Sequence, residues 1–400
     1  MTLVPTLLRR IVMCWLVILL SLASCSLPVL GTDGSGDLPP GHPGSPLLTS
    51  VEHRTDYPLA WHNLRPTWFL NVSDVQYTVR NPTATPVWVR LTSEYPGYST
   101  PTVSVSEVGA GSTATFDHFV VLDREEIQEI RAPARAAIHS RIEYWDGGNW
   151  TVHDEQTDLV TFYPMDQMVW ATEDPGGEIT IYHGLIAIFV TPQSRGVAEL
   201  VAKAKERATR EFDQRYADYG MERTLPGYVL PDCRTTYGDT KNRTALQVKA
   251  IYNALKYDYN LSYVDAPVAF GMGDSQRVST PDESLASGSA NCIDGAVLFA
   301  SAIERLGMQP YIVITPKHAY VAWKTDKAGT EVDALETTLV GSSEFEEAYA
   351  KGAGMWEDDF GRMELYQSLF DQDLSREEYD SLCVLVEIRW LRSQGILPMK

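Results

Sequence analysis

The apolar residues of this chain keep a period of two up to about Met165 and a period near 3.6 beyond it. No single regular architecture accommodates both halves. Between 51 and 165 the runs are short and broken by turn residues. VQYTVR is followed by NPTATP, VWVRLTSEY by GAGS, and AIHSRIEYW meets WTVHDEQTDLVTFY across Asp-Gly-Gly-Asn. About seven strands at this spacing predict an antiparallel, immunoglobulin-like β-sandwich. Beyond Met165, helical spacing predicts helices over 196–219, 244–256 and 292–306, with Gly307 as a stop. The strand-like PYIVITP, HAYVAWKT and TEVDALETT follow at once. Helices first and a sheet afterwards make this half α+β.

Four hundred residues exceed one ordinary core, and 44% apolar content with 10% aromatic content belongs to a folded chain. The net charge of −20 argues against a nucleic-acid partner, because phosphate contacts need clustered Lys and Arg. No HExxH, paired CxxC, Walker loop or EF-hand loop occurs, and DPGGE at 174–178 reads as a turn, so neither metal nor cofactor is expected.

At the N-terminus, Arg9 and Arg10 precede an apolar run from Ile11 to Ala23. The run is too short for a bilayer span, which needs about 20 residues, but it suits a signal-peptide core. Its end, Leu22-Ala23-Ser24-Cys25, resembles a bacterial lipobox, which implies removal of 1–24 and a lipid on Cys25. Segment 25–50, rich in Gly, Pro and Ser, reads as a tether between that lipid and the folded part. The expected location is the cell envelope, lipid-anchored to a membrane and facing the periplasm or exterior.

Of five cysteines, Cys14 falls in the leader and Cys25 at the lipobox, which leaves Cys233, Cys292 and Cys383. Outside the reducing cytosol, one pair plus one free thiol is the natural partition. Asn291 is a good N-cap with Asp294 at N3, so Cys292 takes the first helical position. There the free N–H groups and the helix dipole favour a thiolate, the form that attacks carbonyls. Of eight histidines only His318 lies beyond residue 183, at the head of a strand. An acid must orient its imidazole. Alternation along TEVDALETT puts Asp333 and Glu336 on opposite faces and does not choose between them.

Cys-Ile-Asp-Gly-Ala-Val-Leu-Phe-Ala-Ser, Leu-Gly-Met, His-Ala-Tyr-Val and Leu-Glu-Thr-Thr, in this order over about 240–340, resemble the transglutaminase-like superfamily. The resemblance implies a papain-like core with a Cys–His–acid triad: Cys292 as nucleophile, His318 as base and Glu336 as acid. Glu336 stands where the family usually has Asp before Pro-Thr, and Asp333 is the alternative acid. Gln276 is a candidate second oxyanion donor beside the Cys292 N–H. With Cys292 reserved for catalysis, Cys233 and Cys383 are a possible disulfide.

The organisation expected is leader 1–24, tether 25–50, β-sandwich 51–165, catalytic domain 166–345 and its C-terminal extension 346–400. The expected activity is a cysteine protease or amidase acting on a protein or peptide through a thioester. The alternatives are a cross-linking transglutaminase and a scaffold that keeps the fold without turnover.

Overall fold

The computed structural model describes residues 46–63, 73–173, 179–210, 224–229, 239–265, 270, 275–328, 331–365 and 375–399. The leader, Cys25, most of the tether, the 174–178 turn, the end of the first expected helix and Cys233 lie outside them. The chain is α+β, with several sheets. Among the described residues no helix is long and apolar enough to cross a membrane.

The first half holds two sheets around one core. A five-stranded sheet runs in the order Asp56–Pro58, Trp150–Tyr163, Ala134–Trp145, Val87–Glu94, Thr102–Val108, and a three-stranded sheet runs Leu48–His53, Val75–Arg80, Thr113–His118. Alternation decides which residues face inward. Val75, Tyr77 and Val79 from one sheet meet Val89, Leu91, Ile138 and Phe162 from the other. The longest pair is antiparallel, with Trp145 opposite Trp150. Its turn is closed by Asp146, whose Oδ1 accepts from the N–H groups of Gly148 and Asn149, while Gly147 takes φ +96°.

The second half packs helices against a five-stranded sheet in the order Val332–Leu335, His318–Lys324, Pro310–Thr315, Cys383–Glu387, Met363–Leu365. The last pair is parallel and the others antiparallel. The C-terminal segment is thus part of the sheet: Cys383–Glu387 lies beside Pro310–Thr315, one strand from His318–Lys324. Helix Cys292–Arg305 is buried from Cys292 through Ile303. It is covered by the Arg195–Arg210 and Pro281–Ser287 helices as well as the sheet.

The two halves are joined closely. Tyr163 ends the sandwich, and strand Gln167–Val169 begins four residues later, pairing antiparallel with Ser275–Arg277. In the other direction, Ala60 and Trp61 leave the first half and enter the core of the second, where the Trp61 ring lies 4.8 Å from that of Tyr182.

Candidate active site

Three short devices bring Cys292 to its place. Helix Pro281–Ser287 ends at Gly288, whose φ of +64° turns the chain. Ser289–Ala290 then pairs in parallel with Ser262–Tyr263. Asn291 finally caps the next helix: its Oδ1 accepts from the Asp294 N–H at 2.9 Å, and Asp294 Oδ2 accepts from the Asn291 N–H at 3.4 Å. The other Asp294 oxygen accepts from the Ser279 N–H at 2.8 Å, so this acid also anchors the segment carrying Gln276. Cys292 occupies the first helical position, where its N–H has no intrahelical acceptor, and is only 1% exposed.

His318 opens the neighbouring strand, paired with Thr315 across the turn. Its Nε2–H donates to Glu336 Oε2 at 2.7 Å, and Cys292 lies within electrostatic reach of its ring. With Nε2 taken by the carboxylate, Nδ1 is the nitrogen left for sulfur. Burial works to lower the His318 pKa, but the bonds and charges of Cys292 and Glu336 outweigh it and push it up to about 9. The Tyr320 ring stacks beside His318 at 6.4 Å and donates its hydroxyl to Asp359 at 3.2 Å.

The strand carrying the acids ends at Leu335, and Glu336 begins a 3₁₀ turn, Thr337–Leu339. Glu336 Oε1 accepts from the Thr338 N–H at 2.9 Å and its hydroxyl at 2.8 Å. Burial pushes the carboxyl up, but His318 and Thr338 together hold it below the usual range, so it is an anion and an acceptor only. Gly295 lets the cysteine helix approach this turn: a Cβ there would sit 2.8 Å from Thr337 Oγ1. Asp333 points elsewhere. Its Oδ1 lies 3.3 Å from Lys241 Nζ, and its Oδ2 is buried with no hydrogen-bond partner among the described residues.

Gln276 sits on the strand opposite Met168, buried, with neither amide oxygen nor nitrogen bonded among the described residues. Cys383 carries a free, buried thiol that burial pushes up to about 12. Cys233, the other half of the expected disulfide, is outside the described residues.

Sequence reasoning missed Tyr263. It faces Ala290, two residues before Cys292, and remains 41% exposed. Partial burial and then the charges of Cys292, Asp265 and Glu336 push its phenol up, which places it within electrostatic reach of the thiol. A lone tyrosine in a two-residue strand leaves no periodic trace.

No family model and no curated protein matches the chain. Among solved structures, a FixG-related protein from Vibrio parahaemolyticus is similar over 30% of this chain and 97% of its own, at 15% identity and a TM-score of 0.18. The exo-chitosanase CsxA of Amycolatopsis orientalis is similar over 46% of this chain and 24% of its own, at 14% identity and a TM-score of 0.19. Likeness at this level carries no argument about fold or activity.

Proposed function

We propose that the chain is a transglutaminase-like cysteine hydrolase, a protease or amidase that works by acyl transfer through Cys292. What carries the reading is His318, bonded at Nε2 to the ionised Glu336 carboxylate and lying within electrostatic reach of Cys292 at a helix start. With its pKa raised to about 9, His318 holds the proton of the pair as an imidazolium, and the Cys292 thiolate beside it attacks the substrate carbonyl. Negative charge develops on the carbonyl oxygen. The Cys292 N–H and the unpartnered Gln276 amide are the groups suited to receive it. The imidazolium then protonates the leaving amine. Water, deprotonated by the same imidazole, cleaves the thioester and frees the thiol. In this reading the first half is an immunoglobulin-like sandwich, the second a papain-like core, and a lipid on Cys25 holds both at a membrane of the cell envelope.

The deep burial of Cys292 favours a second reading, a scaffold that keeps the fold without turnover. Alkylation of the full chain with iodoacetamide at pH 6, mapped to residue 292 by mass spectrometry, separates the two. Under the enzyme reading Cys292 reacts well ahead of Cys383, and His318→Ala slows it at least tenfold. A Cys292 no faster than Cys383 supports the scaffold. A thioester that accumulates and is released faster by added amines than by water supports cross-linking over hydrolysis.

A further inference from the structure

The residues around the thiol include one carboxylate that the triad leaves unused. Asp265 is exposed, accepts a hydrogen bond from the Tyr263 hydroxyl at 3.3 Å, and forms no ion pair among the described residues. Arg277, beside Gln276 in the sequence, is engaged elsewhere, 2.7 Å from Asp166 and 3.6 Å from Glu283. Backbone pairing fixes where the Tyr263–Asp265 unit stands. Ser262 N–H donates to Gly288 O and Val264 N–H to Ala290 O, at 2.9 and 3.0 Å, so Tyr263 lies directly beside the entry to the Cys292 helix. On its other flank, Gly341 packs against Leu261 and Ser262, which brings the strand against the turn that carries Glu336.

The same pair of groups holds a cation elsewhere in this chain. Tyr257 donates its hydroxyl to Glu344 at 2.8 Å, and the Lys256 ammonium sits 2.5 Å from Glu344 and 5.0 Å from the centre of the Tyr257 ring. A phenol bonded to a carboxylate offers a positive group both a counter-charge and a ring face.

We propose that Tyr263 and Asp265 form a specificity subsite beside Cys292 for a cationic side chain, ammonium or guanidinium, borne by a peptide substrate close to its scissile carbonyl. This rests on the reading of Cys292 as the nucleophile. Tyr263 supplies the exposed ring and Asp265 the charge, and neither takes part in proton transfer. At this exposure the attraction is a modest one, several-fold rather than orders of magnitude, and it weakens with salt.

The test needs no known substrate. The full chain is treated with three methanethiosulfonates of similar size, bearing an ammonium, a methyl or a sulfonate. In each, the thiolate forms a mixed disulfide and a sulfinate leaves. Modification of residue 292 is followed by mass spectrometry, and rates are divided by those of a small free thiol. The ammonium reagent should be favoured over the methyl reagent by about threefold to fivefold and the sulfonate disfavoured. Asp265→Asn and Tyr263→Leu, both at exposed positions, should each reduce that preference, and 0.5 M salt should flatten it. If Cys292 reacts rapidly with all three reagents and Asp265→Asn leaves their ratio unchanged, the subsite is wrong and the nucleophile stands. If Cys292 reacts with none of them, the nucleophile reading fails and this inference falls with it.

Discussion

Glu336 holds His318 with one carboxylate oxygen and Thr338 with the other: Oε2 lies 2.7 Å from the imidazole Nε2, and Oε1 accepts both the amide and the hydroxyl of Thr338. The side chain therefore cannot rotate without breaking bonds at both ends. It fixes the imidazole with Nε2 on the carboxylate, which leaves Nδ1 as the nitrogen for sulfur.

An amide cannot replace that carboxylate, because its NH₂ would face a donor at one end or the other. Glu336→Gln should lower the Cys292 alkylation rate at pH 6 by about tenfold or more. Asp333→Asn, which touches only the Lys241 and Tyr349 side of the strand, should stay within about twofold of wild type. Equal losses in the two variants would remove Glu336 from its assigned role.

His318 titrates higher in the folded chain, at about 9, than the 6.5 of an unfolded histidine. Below pH 6.5 both states bind the proton and the stabilisation is complete; it is lost as pH rises through about 9. The shift corresponds to about 3 kcal/mol at most. Urea midpoints should fall between pH 6.5 and 9.5 in wild type. The fall should be much smaller in His318→Gln.

His183 behaves in the opposite sense. Burial pushes its pKa down to about 3, so the folded chain keeps it neutral. Below pH 6.5 the unfolded chain takes up a proton that the folded chain refuses, and stability falls with pH. The loss should be about 2 kcal/mol at pH 5. His183→Phe, a ring replacing a ring against Trp170 and Tyr379, should flatten the pH dependence of unfolding between 7 and 5. An unchanged slope would assign that acid sensitivity to other groups.

Gly352 lets helix Phe345–Phe360 lie on strand Val332–Leu335: a Cβ would meet the Leu335 backbone at 2.5 Å and the Ala334 carbonyl carbon at 2.7 Å. Gly352→Ala must push the helix away from the strand whose next residue is Glu336. The expected cost is about 2–3 kcal/mol in stability, and Cys292 alkylation should slow as well. A stable variant with undiminished thiol reactivity would show that the acid does not depend on this packing.

How much of this was legible in the sequence depended on whether the signal was local. The cap and the helix-start position of Cys292 were legible because Asn291, Cys292 and Asp294 lie within one helical turn. The hairpin at Asp146 was legible because turn chemistry is short-range. Period-two alternation placed Asp333 and Glu336 on different faces, although the strand ends at Leu335 and Glu336 belongs to the following turn. What stayed hidden was non-local. The sheet position of Cys383–Glu387, beside a strand some 70 residues earlier, leaves no pattern in a single segment. Nor does the pairing of Ser262–Tyr263 with Ser289–Ala290, which sets Tyr263 beside the thiol. The close helix approaches at Gly295 and Gly352 were equally silent, since a glycine carries no periodicity.

Trp61 has a practical consequence for anyone who wishes to dissect this chain. It belongs by position to the 3₁₀ turn Leu59–Asn63, directly after the first half's strand Asp56–Pro58, yet its ring is packed against Tyr182 in the core that contains Cys292. A fragment beginning at Asp166 would keep strand Gln167–Val169 and the backing of Gln276, but it would arrive without its indole and with a hydrophobic hole in its wall. Expression trials on the isolated second half should therefore favour insoluble material, and supplying residues 46–63 as a separate peptide is the rational remedy.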